Sequence, residues 1–238
     1  MRRIALALAA PFVFILSTAR GQVVVLDPPV QGDDIGKIIS ILKAGGGRTK
    51  GEFETTAEFM ARSNSIPANL RSEMVFPVVV VPGQNNIFYN ADRGKMSVSL
   101  IPDFHYPAGS TLALHRVIKN LPPYEASNAL GAKRLISRSY ISEQGIRIRD
   151  ANLIGLSFAM ERGEAQELKP FLCIAVAGTI NKSVVEVTSS RHAPLMTEPN
   201  DTTTEGEYVS VALDRVVVID KRNGHIVATI ALNRPNRP

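Results

Sequence analysis

Asp103-Phe104-His105 would set a carboxylate and an imidazole on one face of a strand, an arrangement a metal ion can use. His115, His192 and His225 stand apart from it, and none has a partner at the i+4 spacing that puts two ligands on one helical face. Two ligands leave a tetrahedral centre incomplete, and Pro102 and Pro107 on either side point to a surface loop. No metal and no cofactor are expected.

Gly45-Gly46-Gly47-Arg48-Thr49-Lys50-Gly51 offers glycine amides and a lysine, the parts of a phosphate cradle. The order is wrong for a Walker loop, because these glycines follow a helix and Lys50 precedes its glycine. The segment reads as a linker after a helix. A hydrolase elbow needs Gly-x-Ser-x-Gly, and Gly155-Leu156-Ser157 lacks the second glycine and lies in an apparent strand. Cys173 sits inside the apolar run Phe171-Leu172-Cys173-Ile174-Ala175-Val176-Ala177, where no cation stabilises a thiolate, so it reads as an inert core thiol. Glu52, Glu54 and Glu58 resemble acid–base carboxylates, but Thr55-x-x-Glu58 has capping-box spacing, and a helix N-terminus favours the other two acids.

The strongest local charge asymmetry is Lys133, Arg134, Arg138, Arg147 and Arg149 against Glu143. Arg147 and Arg149 alternate with Ile146 and Ile148, so they share one face of a half-buried strand. Such a face is either simply solvated or an interaction patch for an anionic envelope component or an acidic protein. Few aromatic residues lie near it, which disfavours nucleic acid.

The elements that position these residues follow from periodicity. Asp33 or Asp34 caps a helix running to about Ala44, with Ile35, Ile38, Ile39 and Leu42 on one face and Gly45 at its end. A second helix starts near Thr55 and stops before Pro67. Strands are expected at 75–81, 86–90, 96–101, 112–118, 135–141, 146–148, 153–160, 171–177, 184–188, 208–219 and 225–232. The last two flank Asn223-Gly224, a type I′ pair, and the apolar residues on both faces of the first place that hairpin inside the core sheet. The polar stretch 189–206 reads as a long loop. Helices in front and strands behind predict an α+β fold: two N-terminal helices followed by a largely antiparallel sheet, as a single globular domain over 22–238.

Lys50-Gly51-Glu52-Phe53-Glu54-Thr55-Thr56-Ala57-Glu58-Phe59, continuing to Arg62, resembles a motif of a poorly characterised family of exported bacterial proteins. Asn128-Ala129-Leu130-Gly131-Ala132-Lys133 and the Val-rich strand leading into Asn223-Gly224 fit the same likeness. The resemblance implies an envelope or secreted location and carries no activity.

Residues 1–21 have signal-peptide order: Arg2 and Arg3, an apolar run over 4–16, then the small residues Ser17, Thr18, Ala19 and Gly21. Cleavage after Ala19 or after Gly21 satisfies the small-x-small rule. The apolar run is short of the ~20 residues a membrane-spanning helix needs. Removing 1–21 takes three arginines and no acid, so the formal charge of +5 falls by three to +2 and the high pI is partly an export signal. One cysteine excludes an intrachain disulfide framework. The sequence therefore leads to an exported, periplasmic or secreted binding protein with no catalytic motif, and its competitor is an envelope hydrolase whose residues are scattered along the chain.

Overall fold

The computed structural model describes residues 22–26, 30–45, 50–79, 85–100, 103–105, 109–127, 130–148, 154–195 and 197–232. Residues 1–21, where a signal peptide is expected, and Arg149 lie outside the described residues.

Helix α1 (Ile35–Ala44) begins where Asp34 accepts the Lys37 N–H at 3.1 Å, and its stripe Ile35, Ile38, Ile39 and Leu42 is buried. Gly45 closes it with an N–H to the Ile41 carbonyl, at φ −75° and so without a left-handed residue. Helix α2 (Thr56–Ser63) carries the expected capping box, with Thr55 and Glu58 each satisfying the other's backbone N–H. Helix α3 (Arg162–Leu168) was not anticipated: it is short, charged, and starts at Glu161 without a side-chain cap.

The strands are β1 (Val23–Leu26), β2 (Met74–Pro77), β3 (Asn85–Asn90), β4 (Lys95–Leu100), β5 (Asp103–His105) and β6 (Gly109–Ser127). The remainder are β7 (Lys133–Ile148), β8 (Ile154–Ala159), β9 (Leu172–His192), β10 (Asn200–Asp220) and β11 (His225–Ala231). An 8-stranded sheet runs β1-β6-β7-β10-β9-β2, with β5 on β6 and β11 on β10, and β3-β4-β8 form a second sheet.

The α+β expectation is overturned. Strand outweighs helix by 59% to 17%, and the large sheet is mixed because β7 and β10 pair in parallel. Between β7 and β10 the chain passes through β8, α3 and β9, which is long enough to bring β10 back in the direction of β7. The expected loop over 189–206 is also mostly strand: β9 continues to His192, β10 starts at Asn200, and only 193–199 connect them. Polarity suggested a loop, but Thr and Ser whose backbone groups pair across the sheet need no apolar alternation. Asp103–His105, expected in a loop, is a short strand paired to β6.

Long strands stay paired by shedding residues into bulges. Opposite Gly145 the β6 register shifts between Ala113 and His115, and a Cβ at 145 would run into the Leu112 carbonyl oxygen. Gly178 stands in the same relation to the Ala212 carbonyl at the β10 bulge. Pro122 and Pro123 fall at the second β6 shift, between Leu121 and Tyr124, where a missing N–H costs no ladder bond.

The core lies between one face of the large sheet and a cover made of α1 and the smaller sheet. Phe76, Ile146, Val209, Val211, Val216 and Val218 meet Ile39, Leu42, Met96, Val98 and Leu100 there. Each such side chain stabilises the fold by about 1.5–3 kcal/mol on burial. A smaller cluster of Cys173, Ala175, Ala177, Val217 and Ile219, with Val30 and Val75 against it, fills the opposite face. The β10–β11 hairpin joins the large sheet, but β11 pairs with β10 alone among the described strands and so stands at an edge instead of inside it. Its turn is the loop 221–224, with Gly224 at φ +73°, not a two-residue I′ turn. The β3–β4 turn over 91–94 is built the same way, with Gly94 at φ +57°.

Candidate functional site

Beyond the reach of α1, strands β6, β7, β10 and β9 continue side by side as a four-stranded ribbon whose residues turn outward on both faces. Ion pairs and tyrosines hold its strands in register. Arg191 binds Asp201 through two bonds, at 2.9 and 2.8 Å, and Tyr124 donates to the same carboxylate at 3.3 Å. The Arg138 guanidinium lies 5.8 Å from the Tyr124 ring centre. Tyr140 donates to Glu205 at 2.6 Å, which holds its phenol above its ordinary pKa, and Lys119 approaches the Tyr140 ring. The Arg191 hydrogen bonds hold the Asp201 carboxyl below the usual range.

At the ribbon's far end the connection from β9 to β10 meets β7 at Ser137, whose N–H bonds to the Pro199 carbonyl at 2.9 Å, while β6 and β7 pair on to Ser127 and Lys133. Leucines in both connections at that end, and Leu135 on β7, are exposed: Leu130 is 93% exposed, Leu135 64% and Leu195 57%. Lys133, paired with Glu125 at 2.8 Å, and the exposed Arg134 stand beside them.

The basic cluster read from the sequence is thus divided. Lys133 and Arg134 are at the tip, Arg138 is exposed one step in, and Arg147 is at the ribbon's base. At ~3.3 Å per residue, Lys133 and Arg147 are roughly 45 Å apart along β7. Arg147 is also buried, its guanidinium 2.8 Å from Glu186, so it does not belong to a solvated face. The alternation with Ile146 and Ile148 was right, but the face it selects is closed. Arg149 lies outside the described residues.

That closed face holds a polar constellation which hydropathy did not signal. Arg116 Nη2 lies 2.5 Å from Glu143 Oε1, and Tyr208 Oη donates to Glu143 Oε2 at 2.6 Å. Arg116 and Glu143 are register partners, as are Glu143 and Gly206, so three adjacent strands bring these groups to one row. The Tyr208 ring folds over Gly206, where any Cβ would strike it. Tyr208 is 0% and Glu143 4% exposed, so the row is shut off from substrate and acts as a paired, buried brace.

A cavity of about 460 Å³ opens beside the start of α1, lined by Asp33, Asp34, His115, Gln144, Leu114 and Pro77 among others. Its carboxylates are committed to the backbone: Asp33 accepts the Val75 N–H at 2.7 Å and Asp34 caps α1. An imidazole and two acids are present, but its lining contains no serine, threonine or cysteine to serve as nucleophile. Ser157 is on β8, exposed, and outside this lining. Cys173 is buried in the smaller apolar cluster, and burial pushes its thiol up, as expected for an inert thiol. His192 faces Glu198 at 3.4 Å in the tip region, while His225 follows the last turn. Among the described residues, no group of three or more His, Cys, Asp or Glu is arranged to hold a metal.

Of the three acids ahead of α2, Glu58 completes the capping box as expected. Glu54 is held differently: it accepts the Gly51 N–H at 3.0 Å and pairs with Arg62 at 2.8 Å, and the Arg62 hydrogen bond brings its carboxyl to about 2. Glu52 is exposed.

Comparison with protein-family models, curated proteins and solved structures finds no match to this chain. No described helix is long and apolar enough to cross a membrane.

Proposed function

We propose that the protein is an exported, non-enzymatic binding protein of the bacterial envelope or extracellular space, which meets its partner with the far end of the four-stranded ribbon. The observation that carries this reading is the exposure of Leu130 and Leu135 at the β6–β7 end, and of Leu195 in the β9–β10 connection, at an end built from long, cross-braced strands. Leucines fully in water are otherwise costly to solubility, and clustered exposed apolar groups mark interaction surfaces. Lys133, Arg134 and Arg138 beside them suit a partner that is anionic as well as apolar, an anionic envelope component or an acidic protein. The signal-peptide order of residues 1–21, and the likeness of 50–62 to an exported family, support the location. The cavity beside α1 gives the hydrolase alternative little support, because its two carboxylates, Asp33 and Asp34, already accept backbone N–H bonds.

The test is binding of the purified chain to vesicles with and without anionic lipid, and to lipopolysaccharide, for the parent and for a triple variant Leu130→Ser, Lys133→Gln, Arg134→Gln. Parent binding to at least one anionic surface, weakened by salt and reduced about tenfold or more in the variant, is expected. Because all three side chains are exposed, the variant should keep the parent's thermal midpoint. Equal binding by both proteins, or none by either, contradicts the reading. Intact mass of protein recovered from the envelope or medium should begin at Arg20 or Gln22, and retention of Met1 would contradict export by cleavage.

A further inference from the structure

The ribbon has two long edges, and only one is protected. On the β6 side, β1 covers Arg116 to Lys119, and the stretch beyond carries Pro122 and Pro123, which have no N–H to offer an incoming strand. On the β9 side, β2 stops at Gly178, and the Ser183 hydroxyl anchors to the Arg62 carbonyl at 2.8 Å. Past that point, among the described residues, no strand pairs with the outer edge of β9. The open segment reads Glu186-Val187-Thr188-Ser189-Ser190-Arg191-His192, without proline, and Val187 is 66% exposed.

We propose that this edge pairs with the same edge of a second copy, joining two ribbons into one continuous sheet about a two-fold axis at Ser189. Such an axis, normal to the sheet, makes the strands antiparallel and keeps like faces together, so only residues of the same parity stand opposite one another. Centring on Ser189 sets Glu186 across from His192 of the second copy and His192 across from its Glu186. Val187 then lies along the stem of Arg191, whose guanidinium is turned across β10 to Asp201. Centring one residue earlier puts Val187 opposite Ser189 of the second copy, a short polar side chain that covers it less than the arginine stem does. The covering of two exposed valines by the arginine stems therefore selects the Ser189 centre. This pairing leaves Leu130 and Leu135, at the β6–β7 end of the ribbon, outside the dimer interface.

Cysteine cross-linking tests the register. In the mature chain, Ser189→Cys places two thiols face to face at the axis, whereas Asn120→Cys, on the proline-guarded edge, reports random collision. Cys173 is buried at 2% exposure and does not compete. Under mild oxidation the Ser189→Cys chain should run mainly as a dimer on a non-reducing gel, and Asn120→Cys should not. Light scattering should give twice the chain mass for the parent. Val187→Lys, at an exposed position, should weaken association about tenfold or more while leaving the thermal midpoint in place. A parent of single-chain mass at the highest concentration it tolerates would overturn the proposal. So would Ser189→Cys dimers no more abundant than those of Asn120→Cys, or a Val187→Lys dimer as tight as the parent's. None of these outcomes bears on vesicle binding by the tip.

Discussion

Glu143 shows what a single residue does in this sheet. Its carboxylate joins Arg116 on β6 to Tyr208 on β10, at positions where water is excluded. Replacing it with alanine leaves Arg116 without its counter-charge and Tyr208 without its acceptor, so Glu143→Ala is expected to cost about 3–5 kcal/mol in denaturant unfolding. Tyr208→Phe removes one bond and should cost about 1–3 kcal/mol. A Glu143→Ala chain as stable as the parent would remove the brace from the account. Acid should act on the carboxylates that hydrogen bonds hold low. Glu54 is brought to about 2 by Arg62 and Gly51, and Glu58, Asp201 and Asp220 are also lowered by hydrogen bonds. A depressed carboxyl contributes stability above its unfolded pKa and loses it as pH falls through the folded value. For Glu54 that window runs from about 4.5 down to about 2. Arg62→Gln should therefore melt below the parent at neutral pH, the gap closing as pH falls through this window; a gap independent of pH would contradict the assignment. The capping pair and the buried thiol were legible in the sequence because their signals are local. Glu143 and Arg147 were not, because burial of a charge depends on partners brought from other strands.

At the level of elements, α1 was readable to within a residue at its start because its cap, stripe and terminator agree. The expected strands were right in place and wrong in length, and β1 and β5 were not among them. The expected 135–141 and 146–148 are one strand, β7, joined through Ser142-Glu143-Gln144-Gly145, and 171–177 with 184–188 are one strand, β9. The gaps hold polar residues or glycines that are satisfied across the sheet, which hydropathy along the chain reports as loop. Helix α2 illustrates the reverse case, strong local signals on an element with little tertiary support, since only Ser63 is buried. Thr55→Ala should cost about 1 kcal/mol, but as local opening of α2. Hydrogen exchange should quicken over 56–63 with the global midpoint nearly unchanged, and a large fall in that midpoint would mean that α2 is part of the core.

Over the whole molecule, the sequence led to α+β because its two clearest helices come first, and tertiary pairing made the chain mostly β by extending strands through polar stretches. The consequence for function is that the base of the sheet is committed to stability and its far end is not. The buried Arg116–Glu143–Tyr208 row fixes the strands where they leave the core, and Arg191–Asp201, Tyr124 and Tyr140 keep them aligned beyond it. That end presents Leu130, Leu135 and Leu195 beside Lys133 and Arg134. The direct measurement is hydrogen exchange of the mature chain alone and with saturating anionic vesicles, read peptide by peptide. Slower exchange confined to the ribbon's end, over 127–138 and 190–202, is expected, with the cavity beside α1 unchanged. Protection centred on 30–36 and His115, or no protection anywhere in the chain, would contradict a binding role for the ribbon.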